Sequence, residues 1–290
     1  MKLKPKKNIM KKFNLIILLV NISLGCSQQD ISNKYAETIT QKELKNLLEV
    51  YSSDEFEGRQ TGKYGDELAA NFLRDFYLKN DIQPADNTDN YFQKYQLNLP
   101  GKMYTRNYTF PETLRAYDKY ASGENFIDTQ NVASVIVGET YPNSYVIFTG
   151  HLDHVGVDGN EVYNGADDNG SGTVSILEIA QAFQNAIKDG IKPKRSIVFL
   201  HVSGEEEGLL GSEYYVNNSL YPIENTFVNI NLDMIGRTDP TRGYEEEDYI
   251  YSIGSDRITK KLKRITENTN RNTINLKLDY RFEIGRAHVW

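Results

Sequence analysis

Residues 145–202 read YVIFTGHLDHVGVDGNEVYNGADDNGSGTVSILEIAQAFQNAIKDGIKPKRSIVFLHV. Three pieces of this stretch decide the fold. Tyr145 to Thr149 is a short apolar run, and Gly172 to Ala186 carries apolar residues at helical spacing. Arg195 to Val202 is a second apolar run, almost uninterrupted. Strand, helix and strand in that order predict parallel strands joined by a covering helix. Outward from there, Val132 to Val137, Phe227 to Leu232, Tyr249 to Ile253 and Ile274 to Leu278 also read as strands. Gln41 to Tyr51, Gly65 to Asn80, Ser212 to Asn217 and Ser255 to Asn268 read as helices. Asn87 to Asp128 is Tyr-rich and irregular, with room for edge strands whose limits the sequence leaves open. The expected fold is α/β, a mostly parallel mixed sheet with helices on both faces.

Charged side chains gather at the carboxyl ends of these strands. The second strand runs into Gly150-His151-Leu152-Asp153-His154. Alternate residues of extended backbone share a face, so His151 and Asp153 can point the same way. A carboxylate beside a metal-binding histidine fixes the ring's tautomer, although a His-x-Asp also occurs in ordinary surface turns. Next comes Asn164-Gly165-Ala166-Asp167-Asp168-Asn169-Gly170-Ser171-Gly172, which suits either a solvated helix cap or a tightly packed ion-binding turn. Ser203-Gly204-Glu205-Glu206-Glu207-Gly208 follows a buried strand. Three successive glutamates there repel one another unless cations neutralise them, and an acidic first helical turn is the other reading. Asn231-Leu232-Asp233-Met234 puts a further carboxylate at a strand end. Open α/β sheets bind their ligands at these ends. Histidine and carboxylate donors without cysteine suit zinc or a similar divalent ion, and one shared carboxylate can hold two such ions.

Charge and leader bound the setting. All six charges before Cys26 are lysines, and the rest of the chain has 27 basic and 40 acidic residues, a net charge of −13. So acidic a body argues against nucleic acid as a partner. Residues 1–26 read as a signal peptide, with a lysine-rich start and an apolar run from Phe13 to Val20 too short to span a membrane. Ser23-Leu24-Gly25-Cys26 resembles a bacterial lipoprotein cleavage box, so a lipid anchor at Cys26 and export to the bacterial cell envelope are expected. As the chain's one cysteine, Cys26 has no partner for a disulfide. Residues 27–40 read as a polar tether.

The strings at His151–His154, Gly165–Gly172, Gly204–Ser212 and Asn231–Met234, in that order and spacing, resemble the M28 zinc peptidases. Ser53-Asp54-Glu55-Phe56-Glu57-Gly58-Arg59 with Thr61-Gly62 is similar to that family's N-terminal signature. The resemblance implies a zinc-exopeptidase, phosphorylase/hydrolase-like fold over residues 41–282, peptide or protein substrates and two Zn2+. On it, His151 and Asp233 bind one zinc, Glu206 binds the other, and Asp167 bridges them. Asp153 orients His151, Asp168 shapes a loop with a non-proline cis peptide, and Glu205 is the general base. The expected activity is removal of N-terminal residues. A carboxypeptidase or glutaminyl cyclase on the same scaffold, and a non-catalytic binding protein, are the alternatives.

The resemblance also implies a histidine ligand downstream of Asp233. Beyond Asp233 the chain has one histidine, His288, in a segment unlike the family's. Glu283 to Val289 matches one translation frame of a common sequencing adapter, so residues 283–290 are expected to be a non-native tail. As written, the chain would then lack that ligand and is expected to be inactive or poorly soluble.

Overall fold

The computed structural model describes residues 31–98, 126–242, 248–257 and 259–282. The expected signal peptide with Cys26, and the tail with His288, lie outside the described residues.

Among the described residues five α-helices and ten strands carry the fold, and residues 31–36, within the expected tether, are also helical. The helices are α1 (Gln41–Tyr51), α2 (Tyr64–Lys79), α3 (Gly172–Lys188), α4 (Leu210–Asn217) and α5 (Lys260–Asn272). The strands are β1 (Gln83–Pro84), β2 (Phe92–Asn98), β3 (Phe126–Ile136), β4 (Tyr141–His151), β5 (Gly156–Asp158), β6 (Glu161–Tyr163), β7 (Arg195–Val202), β8 (Thr226–Asn231), β9 (Tyr249–Tyr251) and β10 (Lys277–Asp279). The central sheet runs β1-β3-β7-β4-β8, with β2 also paired to β3. β4 lies parallel to both β7 and β8, while β3 is antiparallel to β7, β1 and β2.

β7 explains this arrangement. It pairs on both edges and is covered on both faces, which is why its sequence is apolar without alternation. Its side chains nevertheless divide by parity. Ile197 and Phe199 enter a core with Tyr51, Leu73, Tyr77, Ile176 and Leu177, drawn from α1, α2 and α3. Val198, Leu200 and Val202 enter the opposite core, with Tyr145, Ile147, Tyr215 of α4 and Tyr221. The expected α/β sheet with helices on both faces is therefore present. α1 begins with Thr40 accepting from the Glu43 N–H at 3.2 Å while its hydroxyl meets the Glu43 carboxylate at 2.7 Å, a reciprocal cap readable as Thr-x-x-Glu.

Some elements depart from expectation. β3 starts six residues before the expected Val132, and Phe92–Asn98 in the Tyr-rich segment is a full strand pairing along its length with β3. β9 and β10 pair parallel with each other rather than joining the central sheet. α5 starts at Lys260, where the Thr259 side chain caps the Lys261 N–H in extended backbone, instead of at Ser255. No described strand pairs with the outer edge of β8, and Phe227 and Ile230 stay exposed there.

His201 is fully buried in β7 with Nε2 2.7 Å from the Tyr77 hydroxyl. Burial pushes its pKa down to about 3, so the ring stays neutral. The unfolded chain takes up that proton below about 6.5. Stability tied to this group is thus intact above that range and is lost as pH falls through it toward about 3. His201→Gln, whose amide can still reach Tyr77, is expected to shrink the loss of stability between about pH 7.5 and about pH 5 in urea unfolding. An unchanged pH dependence would show that His201 does not titrate as described.

Candidate metal centre

β4, β7 and β8 are parallel, so their carboxyl ends open on the same side of the sheet, and the chain leaves each strand there with a charged side chain. β4 ends on His151 itself. Its Nδ1 lies 3.1 Å from the Asp153 backbone carbonyl, which must accept the ring's N–H. That leaves Nε2 facing Asp168 Oδ1 at 3.1 Å and Asp233 Oδ1 at 3.6 Å, two acceptors that favour a proton on it. Burial works against charge on His151, but Asp168, Asp233, Asp153 and Glu205 together hold its pKa well above the usual imidazole range.

Asp153 was expected to orient His151 through its carboxylate. Its carbonyl does so instead, because the carboxylate is engaged elsewhere. Fully buried, it accepts the Glu205 and Glu206 N–H groups, each at 3.2 Å, and the Thr61 hydroxyl at 2.9 Å. It therefore fixes the backbone of the glutamate turn after β7. Burial, then the nearby Asp153, Glu206 and Asp233 carboxylates, push Glu205 up to about 7, with His151 drawing it the other way. Glu207, the third residue of that turn, is buried with Oε2 3.3 Å from the Thr61 hydroxyl.

The loop before α3 corrects one expectation. Asp167 does not reach the centre. Its Oδ1 accepts the Gly236 N–H at 2.8 Å and its Oδ2 lies 3.4 Å from Arg237 Nε. Asp168 takes the place expected of Asp167. The two are adjacent, and Asp168 sits in near-extended backbone (φ −104°, ψ 98°), so only one of the pair can face inward. The Asp168–Asn169 peptide is cis, in the loop where a cis bond was expected. Asn169 then ties the loop to β8, donating to the Leu232 carbonyl at 2.9 Å and accepting the Gly172 N–H at 3.0 Å. A Cβ on Gly172 would fall 2.3 Å from the Leu232 carbonyl oxygen, so the close approach of α3 to β8 requires glycine there.

Three groups of side chains present donor atoms within 4.8 Å of one another: His151 with Asp168 and Asp233, His154 with Asp168 and Glu206, and His151 with Glu205 and Glu206. Zinc bonds of about 2.0–2.2 Å in tetrahedral geometry place neighbouring donors about 3.3 Å apart. The His151–Asp168 and His151–Asp233 separations, 3.1 and 3.6 Å, bracket that value. Nitrogen and carboxylate donors, in a pocket short of positive charge, fit zinc.

Residues 131–284 match the profile of Peptidase family M28. The chain belongs to that family. It is 40% identical over 101 residues to leupeptin-inactivating enzyme 1 of Streptomyces exfoliatus, a match covering 34% of this chain and 21% of that relative. The chain thus spans a minor part of that curated relative. A zinc aminopeptidase from Bacillus subtilis superposes with a TM-score of 0.57 at 16% identity, covering 82% of this chain and 78% of that one. A glutaminyl cyclase from Porphyromonas gingivalis does so with a TM-score of 0.53 at 17% identity, covering 81% and 71%.

One part of the site lies outside the M28 match. Arg59 is fully buried. It donates to the carbonyls of Leu152 (3.0 Å), Tyr51 (3.0 Å), Asn164 (2.7 Å) and Gly165 (2.9 Å), with its guanidinium 4.6 Å from the Tyr51 ring centroid. One planar fork thus joins the His151–His154 turn to the loop bearing Asp168. Three residues later in the same segment, Gly62 N–H and the hydroxyls of Thr129 and Ser203 converge on buried Asp66, which anchors the end of β7. Sequence reading had seen this segment only as part of a family signature, since bonds to backbone carbonyls leave no trace in the partner residues. His154 also went without a role, although it lies in the same tetrapeptide as His151.

Arg59→Met removes the fork and leaves several carbonyls without their donor. It is expected to cost upwards of about 3 kcal/mol of unfolding free energy in urea, with Arg59→Lys intermediate. A loss below about 1 kcal/mol for the Met variant would contradict the clamp.

Proposed function

We propose that this M28 chain is a zinc-dependent aminopeptidase that uses Glu205 as general base. The carrying observation is the convergence of His151, Asp168, Glu206 and Asp233 on one pocket beside Glu205. His151 and Asp233 would hold one ion and Glu206 a second, with Asp168 available to both, since it alone belongs to both the His151–Asp233 and the His154–Glu206 groupings. A bound zinc pair supplies Lewis acidity, making water more acidic and polarising the scissile carbonyl.

The chain's own residues do the rest. The Asp153 carbonyl keeps the His151 proton on Nδ1 and so presents Nε2 to the pocket. Asp153 also pins the Glu205 backbone, which aims that carboxylate at the space between the strand ends. Glu205 takes the proton from the attacking water and returns it to the leaving amine. Burial first, and the neighbouring carboxylates after it, raise its pKa, and cations in the pocket would draw it back toward the ionised form a base requires. The leader and Cys26 support placement of the enzyme in the bacterial cell envelope, anchored by lipid.

The lack of a downstream histidine predicts inactivity, but the donors gathered here support the opposite outcome: purified chain given zinc is expected to release the chromophore from aminoacyl p-nitroanilides and to leave their N-acetylated counterparts intact. Glu205→Gln should lower kcat by about 10²–10⁴-fold with zinc content unchanged. Cyclisation of N-terminal glutaminyl peptides without anilide hydrolysis would replace this reading with acyl transfer. In a separate zinc titration, Asp168→Asn is expected to weaken binding by about 100-fold or more, and Asp167→Asn by only a few-fold. Equal effects would return Asp167 to the centre.

A further inference from the structure

We propose that His154 is a metal ligand, and that His154, Asp168 and Glu206 together hold a divalent cation next to the one held by His151, Asp168 and Asp233. This rests on the reading above that the pocket holds zinc, and it adds a ligand which that reading does not contain.

His154 is built into the site rather than lying on its rim. Its Nδ1 is 2.7 Å from Glu206 Oε1, and its donor atom lies within 4.8 Å of those of both Glu206 and Asp168. The ring and the Glu206 side chain retain only 14% and 20% of their exposure. Two contacts fix the ring's position. The His154 backbone N–H donates to the Arg59 carbonyl at 3.2 Å. The ring lies flush on Gly165, where a Cβ would fall 2.5 Å from His154 Cγ and the backbone has φ +53°. Only a glycine leaves room for the imidazole there and adopts that conformation at no cost.

The distance suits a ligand pair awaiting its ion. At 2.7 Å, Nδ1 and Oε1 stand at hydrogen-bond distance. Around zinc the same two atoms would stand about 3.3 Å apart, a movement of some half an ångström at the tip of a glutamate side chain. Charge points the same way. Asp153, Asp168, Glu205, Glu206 and Asp233 crowd this pocket, while buried Arg59 supplies one positive charge. A single divalent ion leaves a surplus of negative charge, which a second removes. Among the described histidines only His151 and His154 can serve, because His201 is fully buried against Tyr77.

The test is metal titration of the full chain, stripped with chelator, using zinc against a chromophoric competitor. The unaltered chain is expected to bind two equivalents. His154→Ala should keep one and weaken the other by about 100-fold or more, whereas His151→Ala should weaken the opposite site. His154→Cys loaded with cobalt(II) should gain a thiolate-to-metal charge-transfer band that the unaltered chain, whose one cysteine is Cys26, does not show. A purely structural histidine would produce no such band. If the variants do not fold, anomalous diffraction at the zinc edge from crystals of the unaltered chain still decides the matter, through a second peak between His154, Asp168 and Glu206 or its absence. Two equivalents with unchanged affinity in folded His154→Ala would overturn the inference. So would one equivalent that depends on His151 and not on His154, which leaves the peptidase reading standing. No zinc binding at all would take down both.

Discussion

Carboxylates repel, and the carboxyl ends of β4, β7 and β8 bring five of them into one partly buried pocket. Like charges a few ångströms apart at low dielectric are worth several kcal/mol of repulsion even with an effective constant near ~20. The chain answers that repulsion in three ways. Asp153 is saturated by two backbone N–H groups and a hydroxyl, so its charge is spread over donors that cannot move away. Arg59 delivers a buried positive charge to the carbonyls underneath. The remainder, carried by Asp168, Glu205, Glu206 and Asp233, has imidazoles as near partners and a need for cations. The raised pKa of His151 expresses that deficit, while burial first and the same carboxylates second raise that of Glu205.

The sheet makes this crowding tolerable because it is rigid where the charges leave it. β7 places alternate side chains in two cores, so its register cannot slip by one residue without turning both inside out. Ser203, the next residue, is held by Asp66 and Tyr95, which fixes the start of the glutamate turn. β4 is paired with β7 up to its end at His151 and with β8 up to Thr149. The site's precision is thus inherited from strand pairing, and the loops carry only the last few residues of positioning.

That division explains what the sequence disclosed. β7, α1 and α3 could be read because apolar periodicity is a property of contiguous residues. So could the four charged motifs, because strand ends are where such sheets bind. The choice between Asp167 and Asp168 could not, since it turns on one residue's φ and ψ within an irregular turn, and adjacent residues look equivalent in a string. Arg59 was invisible for a different reason: its partners are carbonyls, which every residue owns. His154 carried a signal, its place in the tetrapeptide with His151, but only folding shows that the turn aims it at Glu206. β9 and β10 looked like members of the main sheet because short apolar runs say nothing about which neighbour they meet.

The weakest strand of the site is β8, and that gives the metal pocket a structural role as well. Most of its residues are exposed, so apolar burial holds it less firmly than β4 or β7. Its end is tied inward by the Leu232 N–H to the Thr149 carbonyl at 2.8 Å and by Asn169 to the Leu232 carbonyl. Asp233 follows at once, facing His151 across 3.6 Å. An ion held jointly by His151, Asp168 and Asp233 would bind β4, the loop before α3 and the end of β8 to a single point, and its binding free energy would add to the stability of that edge. Without it, Asp233 faces the other carboxylates with only His151 to offset them. The residues that would hold the metal are therefore also those that keep the sheet closed at its exposed edge, so loss of the ion and loosening of β8 should occur together.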